Sequence, residues 1–239
     1  MQQTAPIKTV ELEPTAKAER TRAAILAAAE QEFARRGFVA TRLEDVAAAV
    51  HLKRATLFYH FKDKQSLYEA VVSDAFGALT ARLTEVFEDA QVPITTRMER
   101  AVEAWVDTVT ARPTLARLIL RHAAEAEDHG PQALFPTAGH FVQIAWALFE
   151  EARAKGECKP LHDDPFHAAS AVIGATVFYT TALAPLAPSS TFKPALTPDQ
   201  VAAHKQDVLR TVRLLLGIPS SSRRAAPKKK PARKKARAR

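Results

Sequence analysis

One cysteine, Cys158, in 239 residues leaves no intramolecular disulfide to be made. Such a chain must hold together by packing, as suits a reducing cytosol. Glycine is also scarce, at seven residues, while alanine is abundant. That balance favours helix over sheet. Long apolar runs are missing too. The stretch from Ala168 to Phe192 has no charged residue, but Ser170, Thr176, Thr180, Thr181 and Pro185 interrupt it. It lacks the roughly 20 strongly apolar residues that a membrane span requires, so no membrane partner is expected. The opening MQQTAPIKTVELEPTAKAER has no apolar core of a signal peptide, and a cytoplasmic location is the expectation. There is no Gly-rich phosphate loop, no nucleophile beside a base and no carboxylate pair placed by a motif. An enzyme is therefore not expected, and no cofactor is implied.

What is present in excess is positive charge, and its location matters more than its size. The net charge is +8. Ten of the 34 cations lie between Arg223 and Arg239, with no acid among them, and the preceding 219 residues carry 24 cations against 26 acids. The body is nearly neutral and residues 220–239 are a separate polycation. Lys/Arg runs spaced by Ala and Pro have nothing to bury and are read as a disordered tail. Its physical action would be sequence-blind, salt-sensitive counterion release on a polyanion, or simple solubilisation. Residues 1–18 lack periodicity and are read as a disordered arm.

The stretch TRLEDVAAAVHLKRATLFYHF, Thr41 to Phe61, has the pattern of a helix-turn-helix. Thr41 and Glu44 have capping-box spacing. Leu43, Val46, Ala47 and Val50 form one apolar face. His51-Leu52 supplies the turn, and a second short helix runs from about Arg54 to Phe61. Leu57 and Phe61 face the first helix, leaving Arg54, Thr56, Tyr59 and His60 to face outward. A cation, a hydroxyl, a phenol and an imidazole suit a surface that touches phosphates and base edges. A helix from about Thr21 to Arg36, with Ile25, Ala29 and Phe33 four apart and Gly37 at its end, closes the small core.

These residues resemble the N-terminal domain of the TetR family of bacterial transcriptional repressors. The resemblance rests on Thr21–Ile25, Phe33-Ala34, Gly37-Phe38, Thr41, Val46-Ala47 and Thr56-Leu57-Phe58-Tyr59-His60-Phe61, followed by Lys62-Asp63-Lys64 and Leu67. It covers about 50 of 239 residues. Two positions depart from the family pattern: His51 replaces the usual turn glycine, and Lys53 replaces the usual Ser or Thr cap. The first places a non-glycine residue where a left-handed backbone is needed. By the family motif, Thr41, Tyr59 and Lys64 are expected to touch phosphates. Arg42, Lys53, Arg54, Thr56 and His60 are expected at or near base edges.

Beyond the head, apolar periodicity and Pro/Gly punctuation mark six more helices, about nine in all. A long one follows the N-cap Asp63. The others run from about Ile94, Thr114, Gly139, Pro165 and Pro198, the last behind a Thr197–Gln200 capping box. The expected fold is all-α: a head of residues 19–64, a larger ligand-binding and dimerisation body of residues 65–219, and the tail. The helix from Pro165 is apolar on every side and is expected to be buried on every side. It and the last helix carry more apolar surface than one small bundle can hide, so they are expected to pair with a second copy, as the resemblance also implies. A two-fold pair would read a roughly palindromic double-stranded operator.

Aromatic and polar residues in the body, Trp105, His122, Phe141 and Phe178 among them, are candidates for lining a pocket for an unidentified small effector, as the resemblance implies. Packing alone is the competing explanation for each. Cys158, His162, Asp163, Asp164 and His167 are of metal-ligand type but lack a second ligand pair, and an ordinary helix connection is the better reading. The implied function is a transcriptional repressor released by a small ligand. The alternative is an architectural DNA-binding protein dominated by its tail.

Overall fold

The computed structural model describes residues 16–129, 138–181 and 196–219. The tail, most of the N-terminal arm and most of the loops expected at 128–138 and 185–196 lie outside these residues. The described residues form nine helices and no strand: α1 (Ala16–Ala40), α2 (Leu43–Ala49), α3 (Arg54–His60), α4 (Lys64–Glu88), α5 (Ile94–Ala111), α6 (Pro113–His129), α7 (Ala138–Ala154), α8 (Phe166–Thr181) and α9 (Pro198–Leu216).

Helix α1 starts at Ala16, so the last residues assigned to a disordered arm are helical instead. Its backbone breaks at Gly37 (φ 82°, ψ 174°), and one further turn carries it to Ala40. A glycine tolerates that backbone where a side chain would not. The expected Thr41–Glu44 capping box does not form. Arg42 occupies the N-cap of α2 with no side-chain bond. Thr41 is buried, and its hydroxyl donates to the carbonyl of Gly37 at 2.7 Å. The break at Gly37 leaves that carbonyl without its helical partner, so Thr41 closes the kink instead of starting the next helix. His51 has φ 56°, as its place in the turn requires. At α4 the cap is complete: the Asp63 carboxylate accepts from the Ser66 amide at 2.7 Å, and the Ser66 hydroxyl is 3.1 Å from the Asp63 amide. That amide bond holds the Asp63 carboxyl below its ordinary pKa.

The head core packs Ile25, Phe33, Val46, Leu57 and Phe61 together with Leu67 and Val71 of α4 and Leu118 of α6. Three short helices are marginal alone; two helices of the body complete this core. Phe33, Phe38 and Tyr68 form a ring cluster at the joint, with Tyr68 edge-on to the other two at 5.0 and 5.1 Å. The joint also carries charge. Glu30 of α1, 4% exposed, accepts two bonds from Nε of Arg112 at 2.9 and 3.0 Å, and one from the Thr114 hydroxyl. Arg112 reaches on to Asp74 of α4 at 2.9 Å. One guanidinium thus ties α1 and α4 to the α5–α6 corner.

The body holds two further cores. One lies between α4, α5, α6 and α8, around Phe76, Leu79, Leu115 and Val177. The other lies between α5, α7, α8 and α9, around Val106, Phe149, Val172, Val208 and Val212. Arg213 clamps Glu99 through Nε at 2.7 Å and a second nitrogen at 2.8 Å, pinning α9 to α5. Thr197 caps α9, and Gly217 ends it at φ 59°. A side chain at Gly217 would start 2.0 Å from the carbonyl oxygen of Lys159, which runs alongside. Asp164 caps α8 by accepting from the Phe166 amide at 2.8 Å. Cys158 is buried, and that burial raises its thiol pKa.

Helix α8 departs from the expectation of burial on every side. Ala168, Val172, Thr176 and Val177 are buried, but Phe166 (55% exposed), Ile173 (42%) and Phe178 (45%) are open. With Ala169, Ser170 and Gly174 they form an uncharged outer stripe. Among the described residues, no element covers it.

Candidate nucleic-acid interface

Helix α3 is two turns long and is held by one side only. Leu57 is fully buried and Phe61, just beyond its end, is 4% exposed. Arg22 of α1 lies over the Phe61 ring, 5.2 Å from its centre. The opposite side carries Arg54 and Tyr59, with Lys53 at the N-cap and Thr56 and His60 half-buried at the margins. Tyr59 is 83% exposed, far more than packing would leave a phenol. Its ring stands edge-on to His60 at 5.3 Å. Arg54 is held from two directions, by Glu44 of α2 at 2.7 Å and over the ring of Phe58 at 5.2 Å. Phe58, 40% exposed, belongs to this surface. It was missed in the sequence because an aromatic next to a core leucine reads as core.

The eight expected contact residues are not equivalent. Arg42, Lys53, Arg54 and Tyr59 are exposed, and Thr56 and His60 border them. Thr41 is only 2% exposed with its hydroxyl bonded to backbone, so its side chain is a strut and has no path to a phosphate. Lys64 donates to the carbonyls of Val39 and Thr41 at 3.1 and 3.2 Å, and its ammonium sits 4.6 Å from the centre of the Phe38 ring. It closes the end of the α1 kink, and at most one ammonium proton remains for a phosphate. The physical cause is shared: the broken end of α1 leaves carbonyls that need donors.

Residues 25–71 match the sequence model of the family described as bacterial regulatory proteins, tetR family. The head of this chain is thus similar to the DNA-binding domain of that family. Over 47 residues it is 43% identical to the biofilm operon icaADBC HTH-type negative transcriptional regulator IcaR of Staphylococcus aureus (strain Newman), covering 20% of this chain and 25% of that one. Over 85 residues it is 26% identical to the HTH-type transcriptional repressor DhaR of Mycobacterium sp. (strain GP1), covering 36% and 43%. The chain thus spans between a quarter and about two fifths of the length of these relatives. Among solved structures, the ketosteroid transcriptional regulator KstR2 of Mycobacterium tuberculosis superposes with a TM-score of 0.63 at 18% identity, over 84% of this chain and 96% of that one. The fatty acid degradation regulator FadR of Bacillus halodurans superposes with a TM-score of 0.58 at 15% identity, over 80% and 94%. The likeness in fold therefore extends through the body, while the sequence likeness is confined to the head and its neighbourhood.

Of the four residues expected to line an effector pocket, one faces solvent and two lie inside the described part of the chain. Phe178 points outward on α8. Trp105 packs at the margin of both body cores, and its indole nitrogen is buried without a partner among the described residues. His122 lies 3.4 Å from the Tyr68 hydroxyl, at the head joint. The side chain of Phe141 is outside the described residues. A cleft of about 870 Å³ instead opens at the far end of the body, between the α4–α5 loop, the α7–α8 loop and the end of α9. Among the described residues no helix is long and apolar enough to cross a membrane.

Proposed function

We propose that this protein is a sequence-specific DNA-binding transcriptional regulator that acts as a repressor. The observation that supports it best is α3: a short helix anchored by Leu57 and Phe61, presenting Arg54 and Tyr59 to solvent with Lys53, Thr56 and His60 around them. A helix so mounted enters the major groove, where cations position on phosphates and polar side chains read base edges. IcaR and DhaR, which share the head, are named as negative regulator and repressor.

The second part of the proposal is a two-fold dimer through α8 and α9. The exposed stripe Phe166, Ile173 and Phe178, with small residues between, supports a contact with its own copy. Two heads then sit on successive major grooves of a roughly palindromic operator. Regulation follows if a small molecule binds the two head spacings with different affinity; equal affinity would shift nothing. Trp105, with its unpartnered indole nitrogen, and His122 are the proposed polar contacts of that effector. The Glu30–Arg112–Asp74 tie would carry a movement of the α5–α6 corner to α1 and α4 together.

The test is selection of genomic fragments at about physiological salt, where sequence-blind contacts are suppressed. It uses the protein with its ten tail cations replaced by Gln. Recovery of one or a few palindromic sites is expected. No enrichment with that variant, while the unaltered protein binds every fragment, would establish the architectural alternative.

A further inference from the structure

The first turn of α2 holds two acids, Glu44 and Asp45, and they take different partners. Asp45 ties α2 to α1: Arg36 donates to it at 2.6 Å while also meeting Glu32 at 3.0 Å. Glu44 ties α2 to α3: its carboxylate lies 2.7 Å from Nη1 of Arg54, the first residue of that helix. Docking of α2 does not depend on this second pair, because Leu43, Val46 and Ala47 are buried in the head core. Both Glu44 and Arg54 are more than half exposed, and an ion pair so placed adds little to stability. What the pair fixes is a direction.

Arg54 is a cation in need of one. It stands at the amino end of α3, where Lys53 supplies no side-chain cap and the first turn has no acid. The partial positive charge of that helix end disfavours a guanidinium. A long side chain left loose there would settle on any phosphate within reach. Glu44 draws it back, and the Phe58 ring, with its centre 5.2 Å from the guanidinium carbon, holds it from a second direction. Two such contacts restrict a planar group in both position and tilt. One nitrogen on Glu44 leaves the remaining N–H donors of the fork, and such a fork takes O6 and N7 of guanine together. A phosphate requires no such tilt, and the Glu44 carboxylate repels one.

We infer that Glu44 is a specificity-determining positioning residue: it holds Arg54 in the orientation that reads a guanine at one position of the operator half-site, and it withholds Arg54 from phosphates. This rests on the reading of α3 as the recognition helix. Glu44 acts through Arg54 and lies outside the contact residues expected from the sequence. Its charge lowers affinity for DNA of every sequence. It lowers affinity least where the guanine is present, which widens the gap between right and wrong sites.

The experiment selects bound sequences from a random duplex library with the full-length protein at about physiological salt, then repeats the selection with Glu44→Gln, Arg54→Lys and Arg54→Ala. The unaltered protein should require guanine at one position of each half-site. Glu44→Gln should weaken that preference about tenfold or more while the other positions hold. It should also bind random duplex more tightly, with a log-log salt slope steeper by about 0.9 per subunit as Arg54 engages a phosphate. Arg54→Lys keeps the charge but lacks the fork, and should lose preference at the same position. An unchanged preference in Glu44→Gln, with Arg54→Ala losing it, would overturn the role of Glu44 and leave the reading of α3 standing. A base other than guanine at the position that Arg54→Ala erases would overturn the guanine assignment. A loss in Glu44→Gln spread over every position, with a lower melting temperature, would also overturn the inference, by making Glu44 a structural acid of the α2 end. Selected sequences unchanged in Arg54→Ala would overturn the reading of α3 itself.

Discussion

Among the described residues, two surfaces expose aromatic side chains, and they differ in what surrounds them. On α3, Tyr59 and Phe58 stand beside Arg54, Lys53 and His60. On α8, Phe166, Ile173 and Phe178 stand beside Ala169, Ser170 and Gly174, with no charge along the stripe. Exposure of an aromatic is therefore not a signal in itself. Cations with an exposed ring suit a polyanion with stacked bases. Small neutral residues with exposed rings suit close approach of another apolar helix.

Breaking the second surface gives the largest expected effect. Ile173→Arg would bury an unpaired charge in the proposed dimer contact, and sedimentation should show a folded monomer. Losing the coupled second head should lower operator affinity by about 10²-fold or more. A dimer that persists would place the contact elsewhere.

The joint between the surfaces comes next. Arg112→Ala leaves the Glu30 carboxylate buried with only Thr114 as a side-chain donor. A loss of about 2–4 kcal/mol in urea unfolding is expected, below the full value for a buried pair because Arg112 is a third exposed. Adding Glu30→Gln should restore part of it, since the unpaired charge is the cause. No recovery would mean that lost packing dominates.

Tyr59→Ala sharpens the first surface. Its ring packs on almost nothing, so the melting temperature should hold while operator affinity falls about tenfold. Unchanged affinity would show that α3 docks in another orientation.

The smallest effect is one of pH. Burial lowers the pKa of His204, whose ring stacks on Tyr179 at 4.1 Å and whose Nε2 is buried without a partner among the described residues. Asp207, one turn on, pulls the other way but less strongly. The folded state holds this group neutral, so the unfolded state binds more protons below about pH 6.5. Stability should fall as pH drops through that value toward the depressed folded pKa. His204→Phe should lose less stability between pH 8 and pH 5.5 than the unaltered protein, by thermal unfolding.

Local rules served well wherever a feature depends on neighbours in the chain. The caps at Asp63 and Thr197 and the buried pair Leu57 and Phe61 were legible from spacing, and the left-handed turn at His51 from the family resemblance. The side-chain role of Thr41 was not legible, and the second role of Lys64 was hidden, because their partners are carbonyls freed by a kink at Gly37. The backbone angle that frees them is a property of the packed helices. Phe178 misled for a related reason: periodicity on a uniformly apolar helix cannot say which side faces its own chain.

What the sequence alone determined is the all-helical fold, the head with its outward α3, and the division between a neutral body and a polycation, because each follows from local pattern or composition. Only the tertiary structure decided that Glu30 of the head is neutralised from the body and that α8 keeps one face open among the described residues. Those are relations between residues distant in the chain, and they exist only once helices have packed.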